Sequence, residues 1–224
     1  MDTNLESSVK ASTYDKLCNQ FKTGDIILFN NNHPFTTYDG IISSVVKYFT
    51  KSDWSHIGMI VKDPEFTDKK LEKGLYLWES NLELFPDSED NKIKMAVQIV
   101  PLREMVNHFK GIAVWRKLDC GDVHITNDKL KEIHKLVHGK PYDANPIDWI
   151  EAYLEHSACP RKVNTFFCSA LVARIYSFLH LIDPKINWSV VRPSSFSKEN
   201  IDDKTHINLI NNAKLLDDVE IKNT

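Results

Sequence analysis

Three residues of types that can share a nucleophilic reaction stand far apart in this 224-residue chain: His56, Glu79 and Cys168. A cysteine hydrolase needs a thiolate, an imidazole that carries the proton to the leaving group, and a polar group that orients the imidazole. Cys168 opens an apolar stretch in which Leu171, Val172, Ile175, Tyr176, Phe178 and Leu179 recur as in a helix packed on most sides. Thr165 can act as its N-cap, which places Cys168 in the first turn. There, unpaired backbone N–H groups and the positive end of the helix dipole favour the thiolate. The same position also suits an inert core cysteine, one of the most commonly buried residue types.

His56 lies in Trp54–Val61 and Glu79 in Leu75–Ser80, two segments with strand composition joined by the charged loop Lys62–Gly74. In an antiparallel hairpin with its midpoint inside that loop, His56 and Glu79 are about equally far from the tip. They then face each other, nearly opposite, at the distance where cross-strand side chains touch. A slip of one residue would send them to opposite faces. A buried carboxylate beside His56 would favour imidazolium and fix its tautomer. Otherwise His56 reads as a core histidine bonded to backbone, and Glu79 as a solvated carboxylate at a strand end.

Other elements must hold these residues in place. The length suits one core with room for a small subdomain. We expect a flexible segment over residues 1–20, a catalytic domain over 21–197, and a polar extension over 198–224, docked or trailing. Gly24-Asp25 turns into a buried strand, Ile26–Phe29, and Tyr38–Phe49 has the spacing of a short amphipathic helix. Asp25 fits a local support better than a catalytic role. Met95–Val100 and Gly111–Arg116 read as strands, with a helical turn or two over Leu102–Phe109. Asn127 can cap a helix whose stripe is Leu130, Ile133, Leu136 and Val137, ending at Gly139. Asn145-Pro146 starts another, running through Asp148, Trp149, Ile150, Tyr153 and Leu154. Ser194 or Ser195 can cap a late turn. Short strand connections imply an antiparallel sheet, and the fold class is α+β.

The formal charge of −3 calls for neither nucleic acid nor an anionic membrane. Cys18, Cys120, Cys159 and Cys168 follow no CxxC pattern, and no run reaches the length of a signal peptide or a membrane span. These features predict a soluble cytoplasmic protein with reduced thiols. His134 and His138 are four apart, but HKLVH lacks the glutamate of HExxH, and Lys131 and Lys135 beside them suggest a solvated basic face. No metal and no cofactor are expected.

Gly139-Lys140-Pro141-Tyr142, followed by Phe167-Cys168-Ser169-Ala170-Leu171-Val172, resembles the signature of NlpC-type papain-like cysteine peptidases, and Ser55–Ile60 resembles their histidine strand. Here the histidine precedes the cysteine, an order similar to the circularly permuted branch. That branch includes the bacterial YiiX-like proteins, related poxvirus proteins and, more distantly, the lecithin:retinol acyltransferase group. The resemblance runs from about residue 22 to 197. It implies a permuted papain-like fold in which Gly24–Phe29 opens the domain, Trp78-Glu79-Ser80 carries the third catalytic residue and Val191–Ser194 follows the cysteine helix. It also makes Tyr142 a candidate for substrate contact or oxyanion support, although a core tyrosine covering the turn fits as well. A viral member of this branch would work in the host cytoplasm or the virion.

Two residues depart from the pattern. Ala170 replaces the usual glycine, and Phe167 stands where many peptidases have aspartate. Both point away from a cell-wall peptide and toward the lipid-linked amides or esters associated with the permuted branch. The expected activity is a cysteine-dependent hydrolase working through a thioester on an amide or ester, with an acylated or lipid-like partner and peripheral membrane contact. Thiol acyltransferase and cysteine peptidase are the alternatives, followed by a binding module without turnover. The backbone N–H of Cys168 is the expected oxyanion donor. Trp54, Phe166 and Phe167 bracket the site with apolar surface, or belong to the core.

Overall fold

The computed structural model describes residues 10–31, 53–81, 85–142, 165–198 and 206–222. The helices expected at Tyr38–Phe49 and from Asn145, and Cys159, lie outside them. The described residues form an α+β fold around one seven-stranded sheet of order β1-β7-β6-β2-β3-β4-β5. The strands are β1 Lys10–Thr13, β2 Ile26–Asn31, β3 His56–Lys62, β4 Leu75–Asn81, β5 Ala96–Pro101, β6 Gly111–Asp119 and β7 Lys214–Lys222. All neighbours are antiparallel except β1 and β7. Four helices accompany them: α1 Tyr14–Leu17, α2 Leu102–His108, α3 Asn127–Val137 and α4 Cys168–Phe178.

Both sheet faces are covered, which explains why the central strands read as unbroken apolar runs. Ile26, Leu28, Ile57, Met59, Val61 and Trp78 pack on one face with α3 and α4. Their alternating neighbours Ile27, Phe29, Ile60 and Leu77 pack on the other with α1 and α2. Both described ends of the chain join the sheet. Residues 10–13 pair with β7, and Tyr14 and Leu17 are buried, so part of the segment expected to be flexible is folded. β7 lies beside β6 as an integral strand of the sheet rather than trailing from it. Its mixed pattern hides this in the sequence, because all but one of its side chains stay exposed or half-exposed.

Two helix starts also shift. Thr126, not Asn127, is the N-cap of α3, and its side chain accepts the Lys129 N–H. The buried stripe of α3 is Leu130, Ile133, His134 and Val137, while Leu136 is 50% exposed. Positions i, i+3, i+4 and i+7 share a helix face and i+6 falls off it. His134 therefore takes the core position expected for Leu136, and the solvated basic face expected there is corrected. Phe167, not Thr165, is the N-cap of α4, and Cys168 is its first residue. Phe166 bridges to Tyr142 in extended backbone, which delays the helix until Cys168.

Candidate active site

The site is built on β3, β4 and the start of α4. The β3–β4 pairing runs from Met59↔Trp78 to Lys62↔Leu75. It closes at Asp63, whose N–H donates to the Gly74 carbonyl while Gly74 N–H donates to its carboxylate. Continued one step, this register sets Gly58, not His56, against Glu79. The sequence expectation was off by two residues, which leaves both side chains on one face. His56 reaches Glu79 on the diagonal, with Nε2 2.7 Å from Oε2.

Glu79 is fully buried, and its oxygens are occupied by donors. Asn81 Nδ2 lies 3.2 Å from each oxygen, and Gln98 Nε2 donates to Oε1 at 3.3 Å. Gln98 is also fully buried and sits directly opposite Glu79 on β5. Asn81 and Gln98 were missed by the sequence reasoning. The available signal was Gln98, the lone polar residue of the apolar strand β5, and the polar end Glu79-Ser80-Asn81 of β4, because buried polar groups need partners.

Ser80, the next residue, points to the opposite face, and its hydroxyl donates to the Phe166 carbonyl at 2.7 Å. That bond ties the lead-in of α4 to β4. Further along α4, Ser169 Oγ donates to the Val191 carbonyl and Tyr176 Oη to the Gly24 carbonyl. The helix is thus held at its start by two bonds and further along by a third. Consecutive residues of β4 orient the imidazole and anchor the helix.

Cys168 is a free thiol, 5% exposed, whose sulfur acts electrostatically on the His56 ring. Glu79 engages Nε2, which leaves Nδ1 as the ring nitrogen for the sulfur. Burial works to push the His56 pKa down, but negative charge on the Cys168 sulfur and hydrogen bonding to it, then the Glu79 carboxylate, outweigh it and raise the value to about 10. Phe29 backs the ring at 5.5 Å between centroids. The Tyr142 ring stands edge-on to Phe167, 5.9 Å away, beside the helix start. Trp54 and Phe166 are core residues, whereas Phe167 is only half-buried.

Asp25 lies apart from this group. Its carboxylate accepts N–H groups from Lys22, Trp115 and Leu118, which fits the supporting role expected of it. Burial raises its pKa above the ordinary carboxylate value.

No family model and no curated protein matches the chain. A solved structure similar to it is that of the metalloprotein yiiX from Escherichia coli O157:H7, at 24% sequence identity and a TM-score of 0.42. The match covers 70% of this chain and 66% of that one, so the chain spans just under two thirds of its length. No helix among the described residues is long and apolar enough to cross a membrane.

Proposed function

We propose that this chain is a cysteine-dependent hydrolase with Cys168 as nucleophile, His56 as acid and base, and Glu79 as the group that orients His56. The observation that carries the reading is the fully buried Glu79 carboxylate 2.7 Å from the His56 imidazole, on which the Cys168 sulfur also acts. The chain order, histidine strand, glutamate strand and then cysteine helix, supports a circularly permuted papain-like arrangement.

In the proposed reaction the Cys168 sulfur attacks an acyl carbon, and the carbonyl electrons move onto oxygen. The N–H at the start of α4 faces that developing charge, since the first turn of a helix has no internal acceptor for its donors. Imidazolium Nδ1 gives its proton to the departing amine or alcohol as the bond to the acyl carbon breaks, leaving a thioester. Neutral His56 then takes a proton from water, whose oxygen attacks the thioester. Collapse expels the sulfur and restores the ion pair. Glu79 holds Nε2 throughout, and Asn81 and Gln98 hold Glu79. Tyr142 is assigned to substrate contact beside Phe167. The substrate class is an amide or ester of an acylated, lipid-like molecule, supported by the apolar Phe167 side chain at the site and by the motif resemblance.

The test is intact-mass analysis of wild type and Cys168→Ala after incubation with a panel of acyl esters, lipid amides and peptides. An acyl-chain adduct on Cys168, released by water, supports the proposal. Release only with an added amine or alcohol makes the chain an acyltransferase, and Cys168-dependent peptide cleavage alone makes it a peptidase. Turnover by Cys168→Ala overturns the mechanism.

A further inference from the structure

A second group of ionisable residues lies between α3 and the connection from β4 to β5. His134 Nε2 is 2.7 Å from Glu89 Oε2, and His138 Nδ1 is 3.1 Å from the same oxygen. The two imidazoles, one turn apart, stack at 4.5 Å with 22° between their planes. Asp87 Oδ2 stands 3.5 Å from His138 Nε2. His134 and Asp87 are fully buried, and the Glu89 side chain is 4% exposed.

The carboxylates are fixed from behind. Glu89 Oε1 accepts the Asp68 N–H, and Asp87 Oδ1 accepts those of Glu89 and Ile99. Glu89 Oε2 and Asp87 Oδ2 are thereby turned toward the imidazoles. Lys94 supplies one ammonium, 2.6 Å from Asp87 and 2.9 Å from Asp90. Two acidic residues already share that charge before Glu89 is counted. His138 Nδ1 approaches Glu89 Oε2 without hydrogen-bond alignment, and His134 Nδ1 has no partner. The His134 ring is therefore anchored through Nε2 alone.

We propose that Glu89, His134 and His138 bind a single divalent cation of the zinc class. The three donor atoms lie within 4.8 Å of one another. Bonds of ~2.0–2.1 Å in a tetrahedral site set ligand edges of about 3.3 Å. The observed contacts of 2.7 and 3.1 Å open to that value with movements of a few tenths of an ångström. Imidazole with carboxylate suits zinc better than calcium or magnesium, which take all-oxygen sets. Lys94 keeps Asp87 and Asp90 as its partners. Three protein ligands leave the fourth position of the tetrahedron to water. The ion would staple α3 to the β4–β5 connection.

The test uses the full chain stripped with a chelator and titrated with zinc chloride by calorimetry, alongside thermal melts. The expected result is one zinc per chain and a raised Tm. Binding should weaken by roughly 100-fold or more in Glu89→Gln and in His138→Ala, since even second-shell losses cost 10–100-fold. Cys168→Ala should bind as wild type. Cobalt(II) on the unmutated chain should give visible d–d bands with no thiolate charge-transfer band, a readout that does not depend on any variant folding. No zinc bound, binding unaltered in both ligand variants, loss in Cys168→Ala, or a thiolate band would each overturn the proposal.

Discussion

Replacing Cys168 with alanine should make His56 a far weaker base, and the size of the change follows from the site. The ring's pKa stands at about 10 against an ordinary 6.5, although burial alone would lower it. At ~1.4 kcal/mol per pH unit, the attractions on the imidazolium exceed about 5 kcal/mol. The Cys168 sulfur contributes more of this than Glu79 does. Its removal should therefore lower the His56 pKa by about 2 pH units or more. The substitution deletes one atom at a helix start and leaves the Ser80–Phe166 and Ser169–Val191 anchors intact.

The assay is nitrogen NMR of histidine-labelled protein between pH 5 and 10.5, with His56 assigned from His56→Gln. In wild type both ring nitrogens should keep imidazolium shifts past pH 8, and in Cys168→Ala the transition should move toward neutrality. A histidine raised in the folded state adds stability that is complete below its unfolded value, near 6.5, and is lost as pH rises through about 10. A wild-type His56 already neutral at pH 7.5, or one whose midpoint is unchanged in Cys168→Ala, would refute the proposed charge pairing.

The other predictions concern reactivity, turnover and stability. In iodoacetamide competition read by peptide mass, Cys168 should react at lower pH than Cys18 and Cys120; equal rates after correction for exposure would count against activation by His56. Glu79→Gln should reduce turnover less than Cys168→Ala, because it loosens the His56 ring rather than removing the nucleophile. Arg116→Ala should destabilise the fold by roughly 3–5 kcal/mol in urea unfolding, since it strands Asp218, 2.8 Å away, and frees the carbonyls of Phe196, Leu215 and Leu216. A loss below about 1 kcal/mol would show that Asp218 finds water instead.

The central hairpin was legible in the sequence because its side-chain period is two. An error of two residues in register still places His56 and Glu79 on one face, so the expected contact survives as a diagonal one. The offset arose because the loop closes at Asp63 and Gly74, a pairing made by the Asp63 side chain and invisible to a count of residues. β1 and β7 were not legible for a different reason. They lie toward one edge of the sheet and bury little, so pairing rather than apolar pattern defines them. On α3, the buried carboxylate that receives His134 comes from 45 residues away, and no local pattern in HKLVH reports such a partner.

The same periodicity explains how one strand serves two faces of the site. α4 packs against the face opposite His56 and Glu79, so its cysteine can meet the histidine only where the strand ends. His56 is the first residue of β3, which satisfies that condition. Alternation then assigns Glu79 to the imidazole and Ser80 to the carbonyl before the helix. Inserting one residue in β4 ahead of Glu79 would exchange these assignments, breaking the 2.7 Å contact to His56 and the 2.7 Å bond to Phe166 together. A two-residue insertion there would keep the faces and bring Glu79 to the place of Asn81, opposite His56, but would carry it away from Gln98. The candidate site thus depends on the parity of the β4 register, as the hydrophobic core does.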